Sequence, residues 1–203
     1  MAAPRGRTSE LFRHPQCTIR KMYIFLNEKY LGIVAIALLV TGLVFLIRKW
    51  PKDIHHTFSQ HAAANRTSTI YYATLFAVIL PILAIFFFSW FVPVHNVPSV
   101  FSILVALSLV CQLACTLVPE VGKYVKTHQA LAGISGLLLL PALLMCIFAS
   151  NIGMIDRAII VICCATMTLV LLLVVSKRTR YALILQAMYF TAFFAPILVI
   201  SYI

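Results

Sequence analysis

The residues able to do chemistry are few and unevenly placed. The stretch from Trp50 to Ser68 reads WPKDIHHTFSQHAAANRTS and gathers His55, His56 and His61 with Asp53, Ser59 and Arg66. Glu120, one of only five acidic residues, and His128 lie in a second polar stretch further along. Three imidazoles with a carboxylate (His56, His61, His128 and Glu120) are a donor set that suits zinc, with one coordination position left for water. Ser59 beside His56 or His128 is the alternative: a hydroxyl nucleophile with imidazole as general base. Asp53, His56 and Ser59 recur at i, i+3 and i+6, which puts them on one face if the segment is helical. The chain lacks the HExxH and HxxxH spacings that fix two zinc ligands on one helix face. An interfacial structural role, with each imidazole hydrogen-bonded, therefore competes with catalysis.

What must position these residues is a membrane-embedded scaffold. Of 203 residues, 63% are hydrophobic and 10% are charged, too little polar surface for a soluble domain of this size. Apolar runs recur at 31–47, 69–92, 99–118, 129–149, 158–176 and 181–203. Each is close to the roughly 20 residues that cross a hydrocarbon core. They are continuously apolar and do not alternate, so the expected fold is an all-α, polytopic bundle of six transmembrane helices. The expected organisation is a basic tail, 1–29, with an interfacial amphipathic helix over 19–30, followed by one six-helix domain, 30–203. Residues 1–29 lack the short apolar core of a signal peptide.

The formal charge of +11 sits in the tail and loops, where cations meet lipid headgroups. No aromatic-and-basic stripe offers a nucleic-acid surface. Arg48, Lys49, Lys52, Arg66, Lys123, Lys126, Lys177, Arg178 and Arg180 fall in the loops between spans 1–2, 3–4 and 5–6. The positive-inside rule puts those loops in the cytoplasm, against the pull of the basic tail. Counting spans also separates His95, in the turn after span two, from His56 and His61. Asn65-Arg66-Thr67 is a glycosylation sequon, usable only if its loop faces a secretory lumen.

Inside the spans, Ser108, Cys111, Gln112, Cys115 and Thr116 recur at helical spacing on one face. Such a stripe either glues helices together or lines a ligand cavity. Gln186 and Tyr189 on span six are further cavity candidates. Ala132, Gly133 and Gly136 form a small-residue surface on span four, and Pro81 should bend span two. The cysteines in the spans read as small apolar side chains, with no structural disulfide. No Lys, Arg, Asp, Glu or His lies deep within a span, which argues against voltage sensors, proton-relay pumps and retinal proteins.

The order of features resembles a bacterial and archaeal family, domain of unknown function nine-nine-eight, and is distantly similar to six-span proteins of the DRAM/Sfk type. The residues that carry the resemblance are His56-Thr57-Phe58-Ser59 with Ala62-Ala63-Ala64 before span two, Pro119 closing span three, His128 opening an Ala/Gly-rich span four, and the basic turn into span six. The resemblance implies six spans and a polar site near Ser59 and His128, and no activity. The family pattern places a glycine soon after the serine, where this chain has Gln60-His61 and alanines.

Three functional classes follow as expectations. The first is a non-catalytic, multi-pass integral membrane protein that binds lipid or a membrane partner through the face of loops 1 and 3. The second is a membrane-embedded hydrolase or transferase acting on lipids, with zinc as the one cofactor to consider. The third is a small transporter or channel.

Overall fold

The computed structural model describes the backbone of residues 15–176 and 180–203, with side chains described from residue 28 onward. The side chains of the basic tail, its cysteine Cys17 among them, and Lys177, Arg178 and Thr179 lie outside the described residues. The fold is the all-α polytopic bundle that composition implies. Six helices are long and apolar enough to cross a membrane: Glu28–Lys49, Arg66–His95, Ser99–Leu117, Gly122–Phe148, Met154–Val175 and Ala182–Tyr202. Helix α1 runs Pro15–Lys49, so the backbone enters the first span without a break at the expected tail boundary. A one-turn helix α2, Phe58–Ala62, interrupts the first loop.

The second span is α3, Arg66–Ile85, continued by a π-helical segment, Phe86–Phe91, and by α4, Val92–His95. Pro81 and Pro93 both lie within this run. The hydrogen-bond ladder widens at Phe86–Phe91, not at Pro81: the Val92 N–H reaches back to the Phe87 carbonyl. Proline contributes no N–H to the ladder, and π turns of this kind occur as local insertions in α-helices. The widened turn packs Phe86, Phe87, Trp90 and Phe91 inward. The span also outlasts its expected end at 92. It stops at Asn96, whose left-handed backbone (φ 50°) makes the reversal into α5, Ser99–Leu117.

The remaining helices are α6, Val125–Met145, α7, Met154–Val175, and α8, Ala182–Tyr202. Each span packs on the next, α8 returns to α1, and α6 also meets α8, with α7 set against both. Buried Phe86, Phe101, Ile160, Met167, Phe193 and Ile197 fill the centre. Ile103, Leu107, Val110, Ile162 and Leu172 point outward, as lipid-facing positions must when the solvent is hydrocarbon.

The close approach made at glycine is on α1, and not at Gly133 or Gly136 of α6. A Cβ at Gly32 would stand 2.6 Å from the Phe86 ring, and one at Gly42 would stand 2.5 Å from Leu75. At Gly133 a Cβ would meet nothing within 4 Å, and at Gly136 only the Tyr189 ring at 4.0 Å. The small-residue surface expected on span four is therefore not a tight helix contact. Glycine allows close packing, but the sequence does not show which glycine has a neighbour.

Candidate functional site

The site sits where the first and third loops meet at one end of the bundle. Two consecutive caps hold the first loop in shape. Thr57 caps α2: its hydroxyl accepts from the Gln60 N–H, and its own N–H donates to Gln60 Oε1 at 3.0 Å. Asn65 and Ser68 make the same reciprocal box at the start of α3. Such boxes satisfy backbone donors that a helix start leaves unpaired. The Ser68 and Thr69 hydroxyls then donate to the Ala62 carbonyl at 2.7 and 3.0 Å, tying α2 to α3. From α8, Gln186 accepts from the Phe58 N–H at 3.0 Å. Ile54 accepts from the Leu183 N–H, and the His55 imidazole meets the Arg180 carbonyl. The first loop and the turn before α8 are thus joined.

Ser59, on α2, is the side chain these caps deliver. Its hydroxyl donates to Glu120 Oε2 at 2.7 Å. Gln60 and Gln129 donate to Glu120 Oε1 at 3.3 and 3.0 Å. His128, in the first turn of α6, holds its Nδ1 2.6 Å from the Val118 carbonyl. A carbonyl can only accept, so Nδ1 carries a proton and donates it to Val118. Nε2 faces Cys115 Sγ at 3.4 Å and Glu120 Oε2 at 3.8 Å. The His128 and Glu120 side chains are 4% and 5% exposed, so the carboxylate is held by three neutral donors in a nearly water-free setting. Around it, Ser59, Ala62, Tyr72, Thr116, Glu120 and His128 line a small cleft.

Loops 1 and 3 do converge, then, but not with every expected partner. His61 is fully buried and directs Nδ1 to the Trp50 carbonyl at 3.1 Å. His56 follows Asp53 in a turn, its N–H donating to the Asp53 carbonyl. Residues 51–57 are not helical, so Asp53, His56 and Ser59 share no helix face. The alanine run ends α2 and does not begin a helix. Among the described residues no group of three or more His, Cys, Asp and Glu side chains could hold a metal ion. His56, His61, His128 and Glu120 therefore do not assemble as a zinc site. His95 lies at the far end of span two, packed on Trp90 and Phe91. Asn65, of the sequon, is exposed and uses its side chain to cap α3.

The polar stripe of α5 divides along its length. Ser108 and Ser135 exchange hydrogen bonds, each hydroxyl donating to the other's carbonyl at 2.9 and 3.0 Å. This is helix-to-helix bonding between α5 and α6. Ser108 and Gln112 also line an apolar cavity inside the bundle, with Ser135. Thr116 lines the outer cleft, and Cys115 contacts His128. Cys111 lines neither space, and neither do Gln186 and Tyr189. Tyr189 instead donates to the Gly136 carbonyl at 2.5 Å, fastening α8 to α6.

Sequence reasoning missed Gln60, Gln129 and Ser135. Two of them carried a legible signal: Thr57-x-x-Gln60 is capping-box spacing, and Ser135 lies seven residues after His128, on the same helix face. No family model, no curated protein and no solved structure matches the chain.

Proposed function

We propose that this integral membrane protein binds a phospholipid headgroup at the Ser59–Glu120–His128 cleft. The observation that carries the reading is the meeting of three chemically competent side chains, from two loops, around a cleft at the end of the bundle. The cleft's surroundings favour a headgroup. Arg48, Lys49, Lys52, Arg66, Lys123, Lys126 and Arg180 are all exposed in the loops of this face. Such a basic rim attracts phosphate. Ser59 and Glu120 offer a hydroxyl and a carboxylate to the ammonium or hydroxyl groups that a headgroup carries beyond its phosphate. Binding of phosphatidylethanolamine to the purified chain in nanodiscs, read by native mass spectrometry, tests this. Glu120→Gln should weaken it about tenfold, the factor that 1.4 kcal/mol represents. Equal binding by wild type, Glu120→Gln and Ser59→Ala would refute it.

One observation favours a second reading, lipid hydrolysis. Ser59 Oγ lies 2.7 Å from a carboxylate able to take its proton. In that reaction Oγ bonds to an ester carbon, the serine proton passes to Glu120, and the ester alcohol leaves with a proton. His128 does not reach Ser59: its Nδ1 is committed to Val118, and Nε2 faces Cys115. A serine–histidine pair is thus not formed. A fluorophosphonate probe that labels wild type but not Ser59→Ala would favour the hydrolase, and no labelling would favour binding alone.

A further inference from the structure

We propose that the outer cleft and the inner cavity are two ends of one slot, in which a lipid's acyl chain passes down between α3, α5 and α6 below the headgroup. This rests on the headgroup reading above. The two spaces share three walls. On α3, Tyr72 lines the cleft and Phe76, one turn on, lines the inner cavity, with their rings 4.7 Å apart. On α5, Thr116 lines the cleft and Gln112, one turn away, the inner cavity. On α6, His128 and Ser135 make the same pair two turns apart. Residues four or seven apart face the same way on a helix, so the spaces stack along one line, separated by about one turn.

The chemistry changes along that line as it does along a lipid. The outer end holds the Glu120 carboxylate. The inner end is walled by Leu39, Leu80, Leu139 and Phe190 among others. Its two serines spend their hydroxyls on each other and demand no polar partner from an occupant. It lies between membrane-spanning helices, whose outer faces meet acyl chains as solvent.

The test uses the full chain in nanodiscs with phosphatidylethanolamine bearing a diazirine midway along one acyl chain, and maps the photo-adducts by mass spectrometry. The expected result is adducts on Leu109, Leu139 or Phe190, which line the cavity, as well as on the outward-facing Ile103, Leu107 and Leu137. Leu109→Trp should cut the inner adducts at least tenfold and leave the outer ones unchanged. Leu80→Trp, from the facing wall, should do the same. Adducts confined to outward-facing residues in the wild type would overturn the slot whatever the variants do. If headgroup binding still depended on Glu120 in that case, the headgroup reading would stand alone. Inner adducts undiminished by Glu120→Gln would separate chain from headgroup and overturn the single slot.

Discussion

At the residue scale, Glu120 is the centre of the site. It gathers Ser59 and Gln60 from the first loop and Gln129 from the start of α6, so it fastens the two loops together. Removing a charged acceptor leaves half-buried Ser59 and Gln60 and exposed Gln129 without a partner, which costs more than replacing it with a neutral one. Glu120→Ala should therefore lower stability by about 2–3 kcal/mol, read as thermal unfolding in detergent. Glu120→Gln, which keeps two acceptor lone pairs, should cost clearly less. Equal losses would mean that the carboxylate's hydrogen bonds contribute little to the fold. Ser59 and His128 were legible as candidates because polar residues are scarce in this chain. Their partners were not, because Gln60 and Gln129 look like ordinary loop glutamines until a carboxylate stands between them.

At the element scale, the glycines separate pattern from contact. Gly32→Ala would force a methyl group against the Phe86 ring, at a cost of about 1–3 kcal/mol. Gly133→Ala meets open space, and replacing a mid-helix glycine should add about 0.5–1 kcal/mol. Unfolding of the two variants side by side checks this, and a loss at Gly133 equal to that at Gly32 would contradict the packing described. Gly133 and Gly136 looked like the packing pair because their spacing is that of a helix interface. Which face meets a neighbour is decided by the partner helix, and α1 presses Gly32 and Gly42 onto the second span. The π turn at Phe86–Phe91 was likewise hidden. Five bulky aromatic residues in six positions, FFFSWF, show no periodicity from which a widened ladder can be read.

At the scale of the whole molecule, six spans place loops 1, 3 and 5 on one side. The hydrogen bonds from Ile54, His55 and Phe58 to α8 and its preceding turn, with those from Ser59 to Glu120, draw these loops into one surface. An impermeant thiol reagent should therefore label Lys52→Cys and Lys123→Cys from the same side of a sealed vesicle, and Ser150→Cys from the other. Labelling of Lys52→Cys and Lys123→Cys from opposite sides would refute the six-span topology. The sequence by itself determined the membrane class, the number of spans and the face on which the polar loops lie. Those follow from hydropathy, length and charge, which are sums over local stretches of chain. Only the tertiary structure decided that Ser59 meets Glu120 and His128 while His61 turns inward to Trp50. It also decided that the stripe on α5 serves partly as glue and partly as a cavity wall. These are contacts between distant segments, fixed by how the helices are ordered and rotated around the bundle, and no local window of sequence carries that information.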